Sequence, residues 1–67
     1  MDIFAVRLRE QRLEKGLKQK QLAEAVGTTD DSIYSWEKGR SQPSVEQIRL
    51  LCRCLNISAD YLIGLED

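Results

Sequence analysis

Histidine is absent from this chain of 67 residues, and cysteine occurs only twice. A structural zinc site usually takes four cysteine or histidine ligands, so neither zinc nor another cofactor is expected. No run of apolar residues exceeds the four from Ile3 to Val6, whereas a membrane-spanning helix needs about 20. The first residues also lack the basic start and the apolar segment of a secretory signal. We therefore expect a cytoplasmic protein without a membrane partner.

Aromatic residues make up only 6% of the chain, and β-branched residues are sparse, which disfavours a small β-sandwich or barrel. A chain of this length forms one domain whose core supplies about 3–5 kcal/mol net, and this favours helices with local contacts. We therefore predict a single all-α domain over residues 1–67. Enzymatic activity is not expected, because the sequence lacks histidine, a glycine-rich phosphate loop and a nucleophile beside an evident base.

Charge is nearly balanced, with ten basic and eleven acidic residues and a net charge of −1. Nucleic-acid-binding domains are often strongly basic instead. The basic residues are unevenly distributed, since six of them lie between Arg7 and Lys20, where only Glu10 and Glu14 are acidic. A solvated helix surface would explain this distribution as well as a nucleic-acid-binding face would. Charge alone leaves both interpretations open.

Five residues that tolerate a left-handed backbone divide the chain: Gly16, Gly27, Gly39, Asn56 and Gly64. Each follows a stretch with helical spacing, and such a residue commonly ends a helix. The spacing predicts helices over about 3–15, 19–26, 29–38, 44–55 and 58–63. Capping residues are expected at Thr29, at Ser58, and at Ser44 with Gln47 as its capping-box partner.

Each of the first four predicted helices has an inward-facing stripe of mostly apolar residues at helical spacing. The residues expected to face inward are Phe4, Leu8, Arg12, Leu22, Val26, Ile33, Trp36, Val45, Ile48, Leu51 and Leu55.

The segment from about 18 to 37 has the layout of a helix-turn-helix, two short helices joined by a turn that contains glycine. Ala23 follows Gln19 by four residues, and Gly27 follows Ala23 by four. The small side chain of Ala23 allows two helices to cross closely, and Gly27 can adopt the positive φ that a sharp turn needs. Other antiparallel helix pairs share this pattern, so the spacing alone does not establish a function.

Several segments extend the match beyond spacing: Gly16–Gly27, Ser35–Gly39, Pro43–Ser44 and Ile57–Gly64. In order and spacing they resemble the lambda-repressor-like (Cro-repressor, XRE-type) helix-turn-helix family. The resemblance implies a compact five-helix orthogonal bundle. It also implies a sequence-specific transcriptional regulator, a repressor that binds double-stranded DNA at a palindromic operator as a homodimer, through the major groove.

The resemblance also implies roles for individual residues by their position. The residues that would read bases are Thr29, Asp30, Asp31, Tyr34 and Ser35. The residues that would contact phosphates are Lys18, Gln19, Lys38, Arg40, Ser41 and Gln42. Arg12 and Glu37 match a pair that forms an internal salt bridge in the family, so a structural role is expected for them.

Two features depart from the family pattern. Lys18 stands where the family usually has a threonine, serine or asparagine cap, and the loss of a cap costs about 1 kcal/mol. Its ammonium group could reach a phosphate, or it could be a tolerated surface lysine.

Asp30 and Asp31 place carboxylates where relatives more often have amides or hydroxyls. One of them is expected to read a base, since a carboxylate can accept from cytosine N4, and the other to stabilise the helix end.

The alternative function is a protein-interaction module or an antitoxin component on the same fold, with weak DNA binding. Such a module would keep the core but would not need Gln19, Lys38 and Arg40, and their presence favours DNA. No small-molecule ligand is evident. The dimer surface is expected in the late part of the chain, with Asn56, Ile57, Tyr61 and Leu65 as candidates.

Cys52 and Cys54 are two residues apart on a predicted helix, so their side chains point about 200° apart. They therefore can neither bridge each other nor share a metal readily. We expect them to act as small hydrophobic residues, one of them facing inward.

Overall fold

Five helices separated by short turns make up residues 2–67, the part of the chain that the computed structural model describes. They are α1 (Ile3–Glu14), α2 (Gln19–Val26), α3 (Asp30–Glu37), α4 (Val45–Leu55) and α5 (Ala59–Leu62). No strand occurs within these described residues. The prediction of an all-α five-helix bundle is confirmed. Several predicted boundaries lie one residue outside the helices, because the terminal residues act as caps.

Side-chain caps determine where the helices begin. The predicted caps are confirmed at Thr29, Ser44 and Ser58, whose hydroxyl oxygens accept from the backbone N–H three residues further on. The capping box is also confirmed, since the side chain of Gln47 accepts from the Ser44 N–H at 2.8 Å. Asp2 caps α1 in the same way, which was not predicted. Each cap satisfies an N–H group that has no partner inside its helix.

Residues with positive φ end the helices, as predicted. Gly27, at the end of α2, has a φ of 75°, and this turn lets the Thr28 N–H donate to the Ala23 carbonyl at 2.9 Å. Asn56 ends α4 with a φ of 55°. These left-handed residues reverse the chain within one or two positions, so α2 and α3 pack against each other as a helix-turn-helix.

The core draws residues from all five helices, and Leu8, Leu51 and Leu62 within it are fully buried. Each fully buried leucine contributes about 1.5–3 kcal/mol from removal of its apolar surface from water. Ala23 is buried among them, as expected for a close helix contact. The whole cluster comprises Phe4, Leu8, Leu22, Ala23, Val26, Ile33, Trp36, Leu51, Leu55 and Leu62.

The inward position predicted for Val45 is wrong, because its side chain is 68% exposed. Val45 is the first residue of α4. At about 100° per residue it lies about 120° around the helix from the buried Leu51, so it falls outside the inward stripe. Ile48, one turn further along α4, is half-buried.

The cysteines also differ from the prediction that only one would face inward. Cys52 and Cys54 are both half-buried and both pack against the core cluster, and both are free thiols. α4 lies deep enough against its neighbours for both flanks to be partly covered. None of the helices within residues 2–67 has the length and hydropathy needed to cross a bilayer.

Candidate nucleic-acid interface

A nearly buried ion pair fixes the orientation of the helix-turn-helix. Arg12 Nε lies 2.6 Å from Glu37 Oε2, and Nη2 of the same guanidinium lies 3.1 Å from Oε1. Arg12 Nη1 also donates to the Leu17 carbonyl at 2.8 Å, just before α2. The side chain of Gln19, at the start of α2, donates to Glu37 at 3.2 Å. One carboxylate thus joins α1, the start of α2 and the end of α3.

The orientation of α3 follows from its two buried residues. Ile33 is 0% and Trp36 is 4% exposed, and both belong to the core. With about 100° of rotation per residue, the opposite face carries Asp31, Ser35 and Lys38. The structure therefore places all five of the predicted base-reading residues on α3 or its cap. They are exposed, except for the half-buried Ser35.

Hydrogen bonds already involve several polar groups on this helix. The Thr29 hydroxyl accepts from the Ser32 N–H at 3.2 Å. A carboxylate oxygen of Asp30 accepts from the Asp31 N–H at 2.9 Å. The Ser35 and Ser41 hydroxyls lie 2.7 Å apart, which links α3 to the loop that follows it. Ser41 was predicted to contact phosphate, but its hydrogen bond with Ser35 was not predicted.

Two cations flank an exposed aromatic ring at the end of α3. The Lys38 ammonium lies 5.5 Å and the Arg40 guanidinium 5.6 Å from the centroid of the Tyr34 ring. Tyr34 is 41% exposed. Cation–π attraction at these distances keeps both positive charges beside the exposed end of α3. Gln42, further along the loop, instead lines a groove together with Pro43.

The start of α2 is capped differently from the other helices. The Lys18 side chain has no acceptor and cannot cap the free N–H groups of α2. The Gln21 side chain instead accepts from the Lys18 backbone N–H at 2.8 Å. Sequence reasoning missed Gln21, although glutamine at the third position of a helix is a capping-box signal. The exposed ammonium of Lys18 and the half-buried Gln19 lie next to each other at this helix end.

A groove with a volume of about 310 Å³ opens beside the start of α1, and its lining includes Ile3, Pro43 and Ile63.

Of the predicted dimer candidates, Ile57 packs against the core, and the Tyr61 ring lies under the Arg7 guanidinium at 4.3 Å. Leu65 is 72% exposed. Intramolecular contacts therefore already cover part of the candidate dimer surface.

The two cysteine thiols lie on α4, apart from the outward face of α3. Partial burial raises the pKa of the Cys52 thiol, since the thiolate would be poorly solvated there. Within residues 2–67, no three histidine, cysteine, aspartate or glutamate side chains are grouped so that they could hold a metal ion.

Comparison with known proteins gives concordant matches. A helix-turn-helix family model matches residues 8–62. The chain is 32% identical over 65 residues to the HTH-type transcriptional regulator YobD of Bacillus subtilis, and the match covers 97% of this chain but 58% of that protein. It is also 32% identical over 61 residues to repressor protein C2 of Salmonella phage P22, covering 91% of this chain and 28% of that repressor. The chain thus spans little more than half of one relative and less than a third of the other.

The fold is also found among solved structures. The P22 c2 repressor, crystallised in complex with a synthetic operator, superposes with a TM-score of 0.92 at 27% sequence identity. The superposition covers 98% of this chain and 100% of that chain. The similarity therefore includes all five helices and the turns that orient α3.

Proposed function

The chain belongs to the helix-turn-helix family, and we propose that it is a transcription regulator that binds double-stranded DNA through the outward face of α3. The observation that carries this proposal is the exposed polar face of α3, held by the Arg12–Glu37 pair and flanked by Lys38 and Arg40. The relatives matched are transcription regulators rather than enzymes, and one of them is a phage repressor.

In this proposal α3 enters the major groove, which is about 12 Å wide and accommodates one helix. The first residues of such a helix reach the base edges. The candidates for base reading are Thr29, Asp30, Asp31, Tyr34 and Ser35, and of the two aspartates one would read a base while the other stabilises the start of the helix. Some of these side chains, such as Thr29 and Ser35, already form hydrogen bonds within the protein, and others do not.

Phosphate contacts would supply most of the affinity. The proposed contacts are Lys18, Gln19, Lys38, Arg40, Ser41 and Gln42. Three of these residues are cations, and Gln19 opens α2, where free N–H groups and the helix dipole attract an anion. With about 0.9 counterions released per neutralised phosphate, three cations contribute about −2.7 to the slope of log K against log salt.

A homodimer on a palindromic operator completes the proposal. Two copies of α3 would occupy successive major grooves about 34–36 Å apart on one face of the duplex. Binding there would repress transcription because the protein would occupy the operator. The proposed location is the cytoplasm, where the DNA of a prokaryote or phage is accessible. The exposed side chain of Leu65 offers apolar surface for the contact between copies.

The test is selection of bound duplexes from a random library at physiological salt, followed by a salt titration on the enriched sequence. We expect a two-fold-symmetric motif with half-sites one helical turn apart. Lys38→Ala should weaken binding and reduce the salt slope by about 0.9. Arg53→Ala removes a charge from an exposed position on α4 and serves as the matched control. Weak binding to every duplex without an enriched motif would contradict the proposal and favour a protein-interaction module.

A further inference from the structure

The polar groups of α3 differ in whether they already have partners within the protein. Thr29 uses its hydroxyl to cap the helix, and Ser35 is paired with Ser41. Asp30 accepts from the backbone N–H of its neighbour. Each of these groups would have to give up or share a hydrogen bond in order to read a base. A group that has no such bond can bind DNA without that loss.

Asp31 is the carboxylate on α3 that has no such commitment. It is exposed, and its side chain makes neither a hydrogen bond nor an ion pair with any residue between 2 and 67. Asp31 lies about 160° around the helix from the buried Ile33, whereas Asp30 lies only about 60° from it. Asp31 therefore projects from the outward face, and Asp30 lies on the flank beside the core.

A carboxylate at this position can only accept hydrogen bonds. In the major groove guanine presents the acceptors N7 and O6, and thymine presents the acceptor O4. Adenine presents its N6 donor beside the N7 acceptor, which repels a second carboxylate oxygen. Cytosine presents the N4 donor and no acceptor of its own. Of the four base edges, cytosine is therefore the one that matches an unpartnered carboxylate.

From this geometry we propose that Asp31 is the acidic residue of this chain that determines DNA sequence specificity, and that it selects a cytosine in each operator half-site. Asp30 stabilises the start of α3 instead. The inference depends on the proposed function, since it names the base that the α3 face recognises. This role also explains why an acidic residue lies on the DNA-binding face. Opposite any other base the carboxylate would lack a matching donor or would face an acceptor, and this lowers the affinity for the wrong sites.

The same chemistry predicts a change of specificity rather than a simple loss. In Asp31→Asn the amide both donates and accepts, and this combination pairs with adenine N6 and N7. The variant also removes a negative charge that repels phosphates, so its affinity for unrelated duplexes should rise. Asp30→Asn makes the identical chemical change one residue earlier and is the matched control.

The experiment is the random-duplex selection carried out in parallel with the wild-type chain, Asp31→Asn and Asp30→Asn, after thermal unfolding has shown that all three are folded. We expect a cytosine at one position of each half-site for the wild type and for Asp30→Asn, and adenine at that position for Asp31→Asn. An unchanged motif with Asp31→Asn, or loss of the cytosine with Asp30→Asn, would overturn the inference while leaving the proposed function intact. A wild-type chain that enriches no motif would instead refute the proposed function.

A second measurement tests the contact itself. The cytosine is replaced by an analogue that lacks the 4-amino group, and the affinities of the wild-type chain and Asp31→Ala are measured on both duplexes. The wild type should lose about tenfold to a hundredfold in affinity on the analogue, whereas Asp31→Ala should be nearly indifferent to the replacement. Equal losses for the two proteins would show that the amino group and Asp31 do not interact, and the inference would be wrong.

Discussion

The guanidinium of Arg12 binds both carboxylate oxygens of Glu37, and the exposed fractions of the two side chains are only 9% and 2%. Removal of one partner would leave the other charge buried without compensation, at a cost of about 3–5 kcal/mol. That is comparable with the entire unfolding free energy of about 3–10 kcal/mol expected for a chain of this size. We therefore expect Arg12→Met to be largely unfolded at 37 °C, as measured by circular dichroism and urea titration.

The double variant Arg12→Met/Glu37→Met separates the charge effect from lost packing. Replacing a buried ion pair with apolar residues of similar volume is often neutral or stabilising. The double variant should therefore regain most of the stability that the single variant loses. If both variants were equally unstable, the loss would come from the hydrogen bond between Arg12 and the Leu17 carbonyl, which both variants lack, rather than from the unpaired charge.

Gly27 is expected to be sensitive to substitution because of its backbone, not because of crowding. A Cβ built on Gly27 would meet no atom within 4 Å, but the residue has a φ of 75°. Gly27→Ala should therefore lower the free energy of unfolding by about 1–2 kcal/mol, the cost of a left-handed backbone for an L-residue. Gly27→Asn should lose less, since asparagine tolerates this region, as Asn56 does at the end of α4. Equal losses for the two variants in urea titrations would contradict this account.

Substitution of Lys18 should change stability and DNA affinity in opposite directions. Lys18→Ser supplies the missing cap of α2 and should stabilise the chain by about 1 kcal/mol, a rise in Tm of about 4–8 °C. If Lys18 contacts a phosphate as proposed, the same variant should bind the selected duplex more weakly and with a salt slope reduced by about 0.9. Lys18→Ala is the control, since it loses the charge without supplying a cap. Unchanged affinity in both variants would identify Lys18 as a surface residue.

Alkylation should report the environment of Cys52. Because partial burial raises the pKa of its thiol, the thiolate fraction at a given pH is smaller in the folded chain than in the unfolded one. In a Cys54→Ser variant, which leaves a single thiol, iodoacetamide should react more slowly with the folded chain than with the chain in urea. The midpoint of the rate against pH should also lie at higher pH in the folded chain. Equal rates and midpoints would show that the thiol is fully solvated.

The sequence was sufficient to predict the helices, because their ends depend on local chemistry. Thr29, Ser44 and Ser58 cap the backbone that immediately follows them, and Gly27 needs only its own φ. Val45 shows where periodicity fails, since an i, i+3 series drifts around a helix until its first member is exposed.

The division of roles within the candidate site could not be predicted in the same way. Sequence alone did not distinguish Asp30 from Asp31, although one accepts from its neighbour's N–H and the other has no partner among the described residues. Which of the two projects from the outward face depends on where Ile33 packs, since packing sets the rotation of α3. The contact between Ser35 and Ser41 likewise depends on the path of the loop after α3. Such contacts arise from tertiary placement and leave no periodic pattern in the sequence.

The hydroxyl contact between Ser35 and Ser41 has a consequence for attempts to retarget the protein. If Ser35 faces a base as proposed, a new side chain at position 35 would change more than the base preference, since it would also remove the hydroxyl contact between α3 and the loop that follows it. In the proposed complex, base preference and the phosphate contacts of the loop would therefore be coupled at position 35. At position 31 they are separable, because the side chain there holds nothing else in place. A designer who wishes to redirect this scaffold to a new operator should vary position 31 first and leave the serine pair intact.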